Sequence, residues 1–247
     1  MKRDHVVVDA AAEVVDGRPA PSQRTPLDRE QIVDAAVRFI DEHGLPGLTM
    51  RRLGGELGVE AMSLYRYVPG RENLLDGVVE RIIDEMRDDE DVLDEPRDGW
   101  QDFLQRLAHG VRRVALAHPK AFPLIASRPP EAPWLRPPLR SLRWVETFLV
   151  GLEIEGFTDE AMVEAYRTFT SFLLGHLLLE VSALGADVGP LDVLDDNEDA
   201  NDKSIAPFPT VDRLRDALGE NHSAREFEDA LEELLNRIAL LQSESSV

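Results

Sequence analysis

Thr49–Val68 reads TMRRLGGELGVEAMSLYRYV, two short helical segments on either side of a glycine turn. Thr49 stands where an N-cap belongs, its hydroxyl placed to accept a backbone N–H of the first turn. Leu53 and Leu57 follow four residues apart on one helical face, and Gly58 predicts the stop. A further helix is expected from about Ala61 to Val68. With Leu64 at the centre of its buried face and about 100° per residue, Val68 falls beside it, Met62 and Arg66 roughly opposite, and Ser63 and Tyr65 on the flanks. Two helices joined by a short glycine-containing turn, the second short and exposed, describe a helix-turn-helix that presents its second helix to a DNA major groove.

The flanking sequence completes a small helical unit. Upstream, Leu27, Asp28 and Gln31 occupy the staple, N-cap and third helical positions, with Ile32 as the staple partner. Ile32, Ala35, Ala36, Phe39 and Ile40 then keep the 3.6-residue period of one helical face, and Gly44 is a natural C-terminal stop. Downstream, Pro69-Gly70 separates the short helix from a fourth that carries Leu74, Leu75, Val78, Val79, Ile82 and Ile83. Residues 25–83 therefore read as a helix-turn-helix domain. Residues 1–24, rich in Pro, Gly and Ser and poor in large apolar side chains, read as a flexible arm.

Beyond residue 83 the pattern is of longer helices broken by prolines, expected at about 98–117, 119–127, 134–155, 158–184 and 224–242. No strand alternation appears, so the fold class is all-α: an N-terminal three-helix helix-turn-helix domain plus a C-terminal helical domain over 84–247. Between the last two helices, GADVGPLDVLDDNEDANDKSIAPFP carries seven acids against one lysine and reads as a mobile acidic loop at about 185–209, with a short helix near 210–218.

Composition excludes several classes of function. The chain has no cysteine, which removes disulfides, thiolate metal sites and cysteine nucleophiles together. Its six histidines include no pair at helical ligand spacing, so no metal site is expected. The most apolar stretch, FLLGHLLLEV at 172–181, is far short of the roughly 20 residues that a bilayer demands. With no signal-peptide pattern in the first residues, a cytoplasmic protein without membrane contact is expected. Net charge is −21, unfavourable to a general nucleic-acid binder, but its distribution is uneven. Residues 24–83 hold eight arginines against ten acids, whereas residues 84–247 hold sixteen basic residues against thirty-four acids. No nucleophile motif or glycine-rich phosphate loop is present, so neither an enzyme nor a cofactor is expected.

LTMRRLGGELGVEAMSLYRYVPGRENLLDGVVE resembles the N-terminal domain of TetR-family regulators, closest to the tetracycline-repressor-like branch; with the first helix the likeness covers about residues 27–83. The resemblance implies a DNA-binding transcriptional repressor, released from a palindromic double-stranded operator by a small-molecule effector. It places Thr49, Tyr65 and Arg71 on phosphates, and Arg51, Ala61, Met62, Ser63 and Arg66 at bases or their neighbouring phosphates; Arg52 and Tyr67 complete the candidate surface. Ala61 and Met62 offer no hydrogen bond, which restricts them to apolar contact such as a thymine methyl. A family fold that binds small molecules without sequence-specific DNA binding is the alternative. Gly54-Gly55 inside the second helix is unexpected on propensity, and close packing of the next helix across Gly54 accounts for only one of the two.

The resemblance also implies a homodimer with a four-helix interface. The 158–184 helix, with Phe157, Thr158 and Met162 in staple and cap positions, Met162, Ala165, Tyr166, Phe169, Leu173 and Leu177 on one stripe, and an apolar surface nearly all round from Phe172, is one candidate. The last helix, with Phe227, Leu231, Leu234, Leu235, Ile238 and Leu241, is the other. The effector pocket is expected at Trp144, Phe148, Tyr166 and Phe169. His176 and Glu180, four residues apart, read either as a mutually satisfied polar pair in a helix interface or as polar groups of that pocket. The family's tetracycline- and magnesium-binding residues find no match.

Overall fold

The computed structural model describes residues 27–127, 132, 134–137, 141–188 and 207–244. The expected arm at 1–24, and most of the expected acidic loop, lie outside the described residues. The described residues form ten α-helices and one 3-10 turn, and no strand is found among them.

Helix α1 (Arg29–His43) begins where the staple and cap place it. Asp28 is its N-cap and accepts a hydrogen bond from the Gln31 N–H at 2.8 Å. Gly44, at φ 79°, ends it by donating its N–H to the Ile40 carbonyl at 2.7 Å. The left-handed φ explains why this stop is glycine. A 3-10 turn (Leu45–Gly47) leads into α2 (Met50–Glu56), whose N-cap Thr49 accepts from the Arg52 N–H at 3.2 Å.

Helix α3 (Ala61–Leu64) is shorter than the expected 61–68, and Tyr65, Arg66 and Tyr67 form a turn. Val68 still donates to the Leu64 carbonyl at 2.9 Å, so the chain keeps a helical sense long enough to bury Leu64 and Val68 together. Helix α4 (Arg71–Glu85) packs on α1 and buries Leu74, Leu75, Val78, Val79 and Ile82. At Gly77 the two helices approach so closely that a Cβ would lie 2.8 Å from the Val33 side chain.

The remainder is organised around α8 (Asp159–Ala183), which contacts α5 (Trp100–Ala117), α6 (Phe122–Ser127), α7 (Leu142–Ile154) and α10 (Ser223–Glu244). Thr158 caps α8, accepting from the Ala161 N–H at 3.4 Å. The expected stripe is buried at Ala165, Tyr166, Phe169, Leu173 and Leu177. Helix α7 starts later than the expected 134. Pro137 denies the chain helical backbone there, and Trp134–Pro137 are non-helical instead. Helix α9 (Pro209–Gly219) corresponds to the short helix expected near 210–218 and buries none of its residues. No helix is long and apolar enough to cross a membrane among the described residues.

The Gly54-Gly55 pair divides cleanly. A Cβ on Gly54 would meet the Val59 carbonyl oxygen at 2.9 Å and the Ala61 nitrogen at 3.2 Å, whereas nothing lies within 4 Å of one on Gly55. Only glycine at 54 lets α3 seat across α2. Gly54→Ala is therefore expected to destabilise the protein in urea unfolding, because backbone atoms must move. Gly55→Ala is expected to be neutral or to stabilise by up to about 1 kcal/mol; equal effects at the two positions would contradict this packing.

Candidate nucleic-acid interface and ligand cavity

The α2–α3 unit presents one polar and apolar reading face. Leu53 and Leu64 are fully buried beneath it, while Met62 is 72% exposed, Tyr65 42% and Tyr67 39%. Thr49, Arg51 and Arg66 are exposed, while Ala61, Ser63 and Arg71 are half-buried. Arg52 is exposed but turned inward: it donates to the Gly47 carbonyl at 3.0 Å and its guanidinium lies 4.9 Å from the Phe39 ring centroid. It thus ties the 3-10 turn to α2. Arg71 opens α4 directly after Gly70.

A cavity of about 100 Å³ lies within the larger set of helices. Ile83 and Met86, at the end of α4, form one wall; Leu107 and Val111 of α5, Phe122 and Ile125 of α6, and Ser141, Trp144 and Phe148 of the α7 region form others. Helix α8 contributes Tyr166, Phe169, Thr170, Leu173 and Leu174. Phe148 sits edge-on to Tyr166 with centroids 5.9 Å apart, and 5.3 Å from Phe169. The Tyr166 hydroxyl donates to the Pro137 carbonyl at 2.9 Å. Burial pushes its pKa up to about 12, so it stays a neutral donor.

Four of the six expected pocket residues therefore meet in one place. His176 and Glu180 are not among its lining residues, and they do not pair with each other. Glu180 instead receives two hydrogen bonds from Arg112 of α5, Nε to Oε2 at 3.1 Å and Nη2 to Oε1 at 2.6 Å. A fork of this kind satisfies both carboxylate oxygens of a side chain only 5% exposed. The His176 ring packs among Phe172 and Phe227, with its Nε2 buried and without a hydrogen-bond partner. Sequence reasoning missed Arg112, although a signal was present: it follows Leu104 and Ala108 at four-residue steps, a charge on an otherwise buried stripe.

Sequence reasoning also missed the joint between α1–α4 and the rest. His118, at the end of α5, places Nδ1 2.8 Å from Asp41 of α1 and Nε2 2.8 Å from Glu85 of α4. Lys120 donates to the Glu42 carbonyl at 2.8 Å beside it. Arg81 binds Asp34 at 2.9 Å and reaches Glu85 at 3.4 Å. Only the imidazolium form of His118 can donate to both carboxylates. Its pKa is raised, chiefly by the hydrogen bond to Asp41 and further by Glu85, against the opposing effect of burial.

A helix-turn-helix with an exposed reading face, joined through α4 to helices that enclose an apolar cavity, defines a DNA-binding regulator of transcription. Residues 32–78 match the family described as bacterial regulatory proteins, tetR family, and residues 94–240 match the tetracyclin repressor-like C-terminal domain. The HTH-type transcriptional repressor DrrR1 of Streptomyces coeruleorubidus is 33% identical over 64% of this chain; the match spans just over half, 55%, of that repressor's length. The tetracycline repressor protein class D of Escherichia coli is 30% identical over 78% of each chain. Among solved structures, a possible TetR family transcriptional regulator from Streptomyces coelicolor A3(2) superposes with a TM-score of 0.67 at 28% identity, covering 87% of this chain and all of that one. ActR of Streptomyces coelicolor in complex with (S)-DNPA gives 0.63 at 26% identity, covering 90% of this chain and 100% of that one. The chain belongs to the TetR family.

The two ionic features give separable expectations. A raised folded-state pKa makes the His118 contribution full below the ordinary value of 6.5, and it is lost as pH rises through the raised value. The stability advantage of the wild type over His118→Gln, from denaturant unfolding at a series of pH values, should therefore shrink as pH rises; a growing difference would contradict the joint. Arg112→Met strands the Glu180 carboxylate and should cost about 3–5 kcal/mol, most of it recovered in the Arg112→Met/Glu180→Leu double variant.

Proposed function

We propose that the chain is a homodimeric, cytoplasmic transcriptional repressor without catalytic chemistry. Residues 25–83 hold operator DNA, and residues 84–247 release it when a small molecule enters the cavity. One observation carries this reading: α4 begins with Arg71 beside the reading face and ends with Ile83 and Met86 in the cavity wall. The names of relatives support it, since DrrR1 and the class D protein are repressors and ActR is recorded with (S)-DNPA and with actinorhodin.

In this reading Thr49, Tyr65 and Arg71 bind phosphates, which fix register without reading sequence. Arg51, Ser63 and Arg66 reach base edges, with Ala61 and Met62 limited to apolar contact. Arg52 holds the surface in shape from beneath and Tyr67 borders it. Dimerisation uses the outer faces of α8 and α10, where Leu179 is 75% and Leu240 61% exposed in the single chain. A twofold dimer presents two recognition helices to half-sites about 34 Å apart, hence a palindromic operator. An effector that prefers the wrongly spaced conformation lowers DNA affinity by that preference and no more.

Genome-wide mapping of bound sites would supply the operator for titration. Tyr65→Ala and Arg71→Ala are each expected to weaken operator binding about tenfold or more while leaving the melting temperature nearly unchanged. Arg71→Ala should also make the salt dependence shallower by about one unit of slope. Undiminished operator affinity in both variants would remove these residues from the interface.

A further inference from the structure

We infer that the cavity takes uncharged, largely apolar ring compounds and admits neither an ion nor a metal chelate. This rests on the proposal that the cavity is the effector site and names the class of effector.

No Asp, Glu, Lys, Arg or His stands among the described lining residues. An ion moved there from water would lose its hydration and gain no counter-charge from these residues. The Arg112–Glu180 pair is not among the lining residues, and its two charges face each other. A hard cation carried in by a chelating ligand would find no carboxylate or imidazole among the described lining residues to complete its shell.

The polar capacity of the walls is small. The Tyr166 hydroxyl is engaged by the Pro137 carbonyl at 2.9 Å and by the Thr170 side chain, which leaves chiefly the Ser141 hydroxyl for a ligand. Aromatic rings dominate instead, and Phe148, Tyr166 and Phe169 meet at the inclined angles that suit insertion of another ring against a face or an edge. At about 100 Å³ the space is below the roughly 150 Å³ that accepts a benzene. A ligand of two or more rings must therefore push a wall outward, and one wall is the Ile83–Met86 end of α4.

Two dyes of one skeleton test this: N-phenyl-1-naphthylamine, which is neutral, and 8-anilinonaphthalene-1-sulfonate, which adds a single negative charge. Both are titrated into the full chain without DNA, at high salt so that the net charge is screened. The neutral dye should bind saturably with tryptophan energy transfer that is reduced, through loss of the Trp144 share, in Trp144→Phe, and the sulfonate at least about tenfold more weakly. Ser141→Trp should abolish binding of the neutral dye; Ser141 is half-buried and its side chain makes no cap hydrogen bond, so the fold should tolerate the change. Leu174→Trp is the second filling variant should the first fail to fold. Equal binding of the sulfonate with the same energy transfer would overturn the inference. So would displacement of the neutral dye by magnesium-bound tetracycline, or no saturable binding of the neutral dye. Operator release is read in a separate titration: a chain that takes the neutral dye yet keeps its operator argues against the regulatory reading and not against the selectivity of the cavity.

Discussion

The packing of α4 along α1 is the constraint on which the rest depends. Helix α4 is 15 residues long, about 22 Å at a helical rise, and five of its aliphatic side chains are buried at 2% exposure or less. Burial of each such side chain contributes about 1.5–3 kcal/mol, and the close approach at Gly77 leaves no slack for one helix to slide past the other. Helix α1 in turn contacts α2, which carries α3 across Gly54. The four helices are therefore packed as one unit, with α4 running from the reading face to the cavity wall.

What holds that far end is of two kinds. His118 ties α1 and α4 to the end of α5 by two charge-assisted hydrogen bonds, with Lys120 on the Glu42 carbonyl beside it. Within two residues of Glu85 in the sequence, Ile83 and Met86 border an apolar cavity of about 100 Å³. The polar contacts fix direction, since imidazolium and carboxylate bond only in narrow geometries. The apolar wall has no such directional preference.

Where local chemistry decides the structure, the sequence was a reliable guide. Asp28, Thr49 and Thr158 cap the helices their spacing announces, because a cap is settled within four residues. The stripe of α8 was legible for the same reason, and with it Tyr166 and Phe169 in the cavity. Errors fell where a distant partner decides. His176 and Glu180 share a helical face, but Arg112, 68 residues away, claims the carboxylate. Ile83 was legible as core; that it also borders a cavity depends on four other helices. Helix α3 proved shorter than its apolar spacing suggested, since burying Leu64 and Val68 needs only one turn and a bend. His118 gave no sequence signal, because its two carboxylate partners come from helices 77 and 33 residues away.

Coupling between the two sites through α4 is reciprocal by thermodynamic necessity. The most direct test is the affinity of a cavity ligand for the free protein compared with its affinity for the protein saturated with operator. If α4 links the sites, the ligand binds the operator complex more weakly, by the same factor by which it weakens operator binding. Equal ligand affinity for the free and the operator-bound protein, with operator affinity unaffected by ligand, would contradict it.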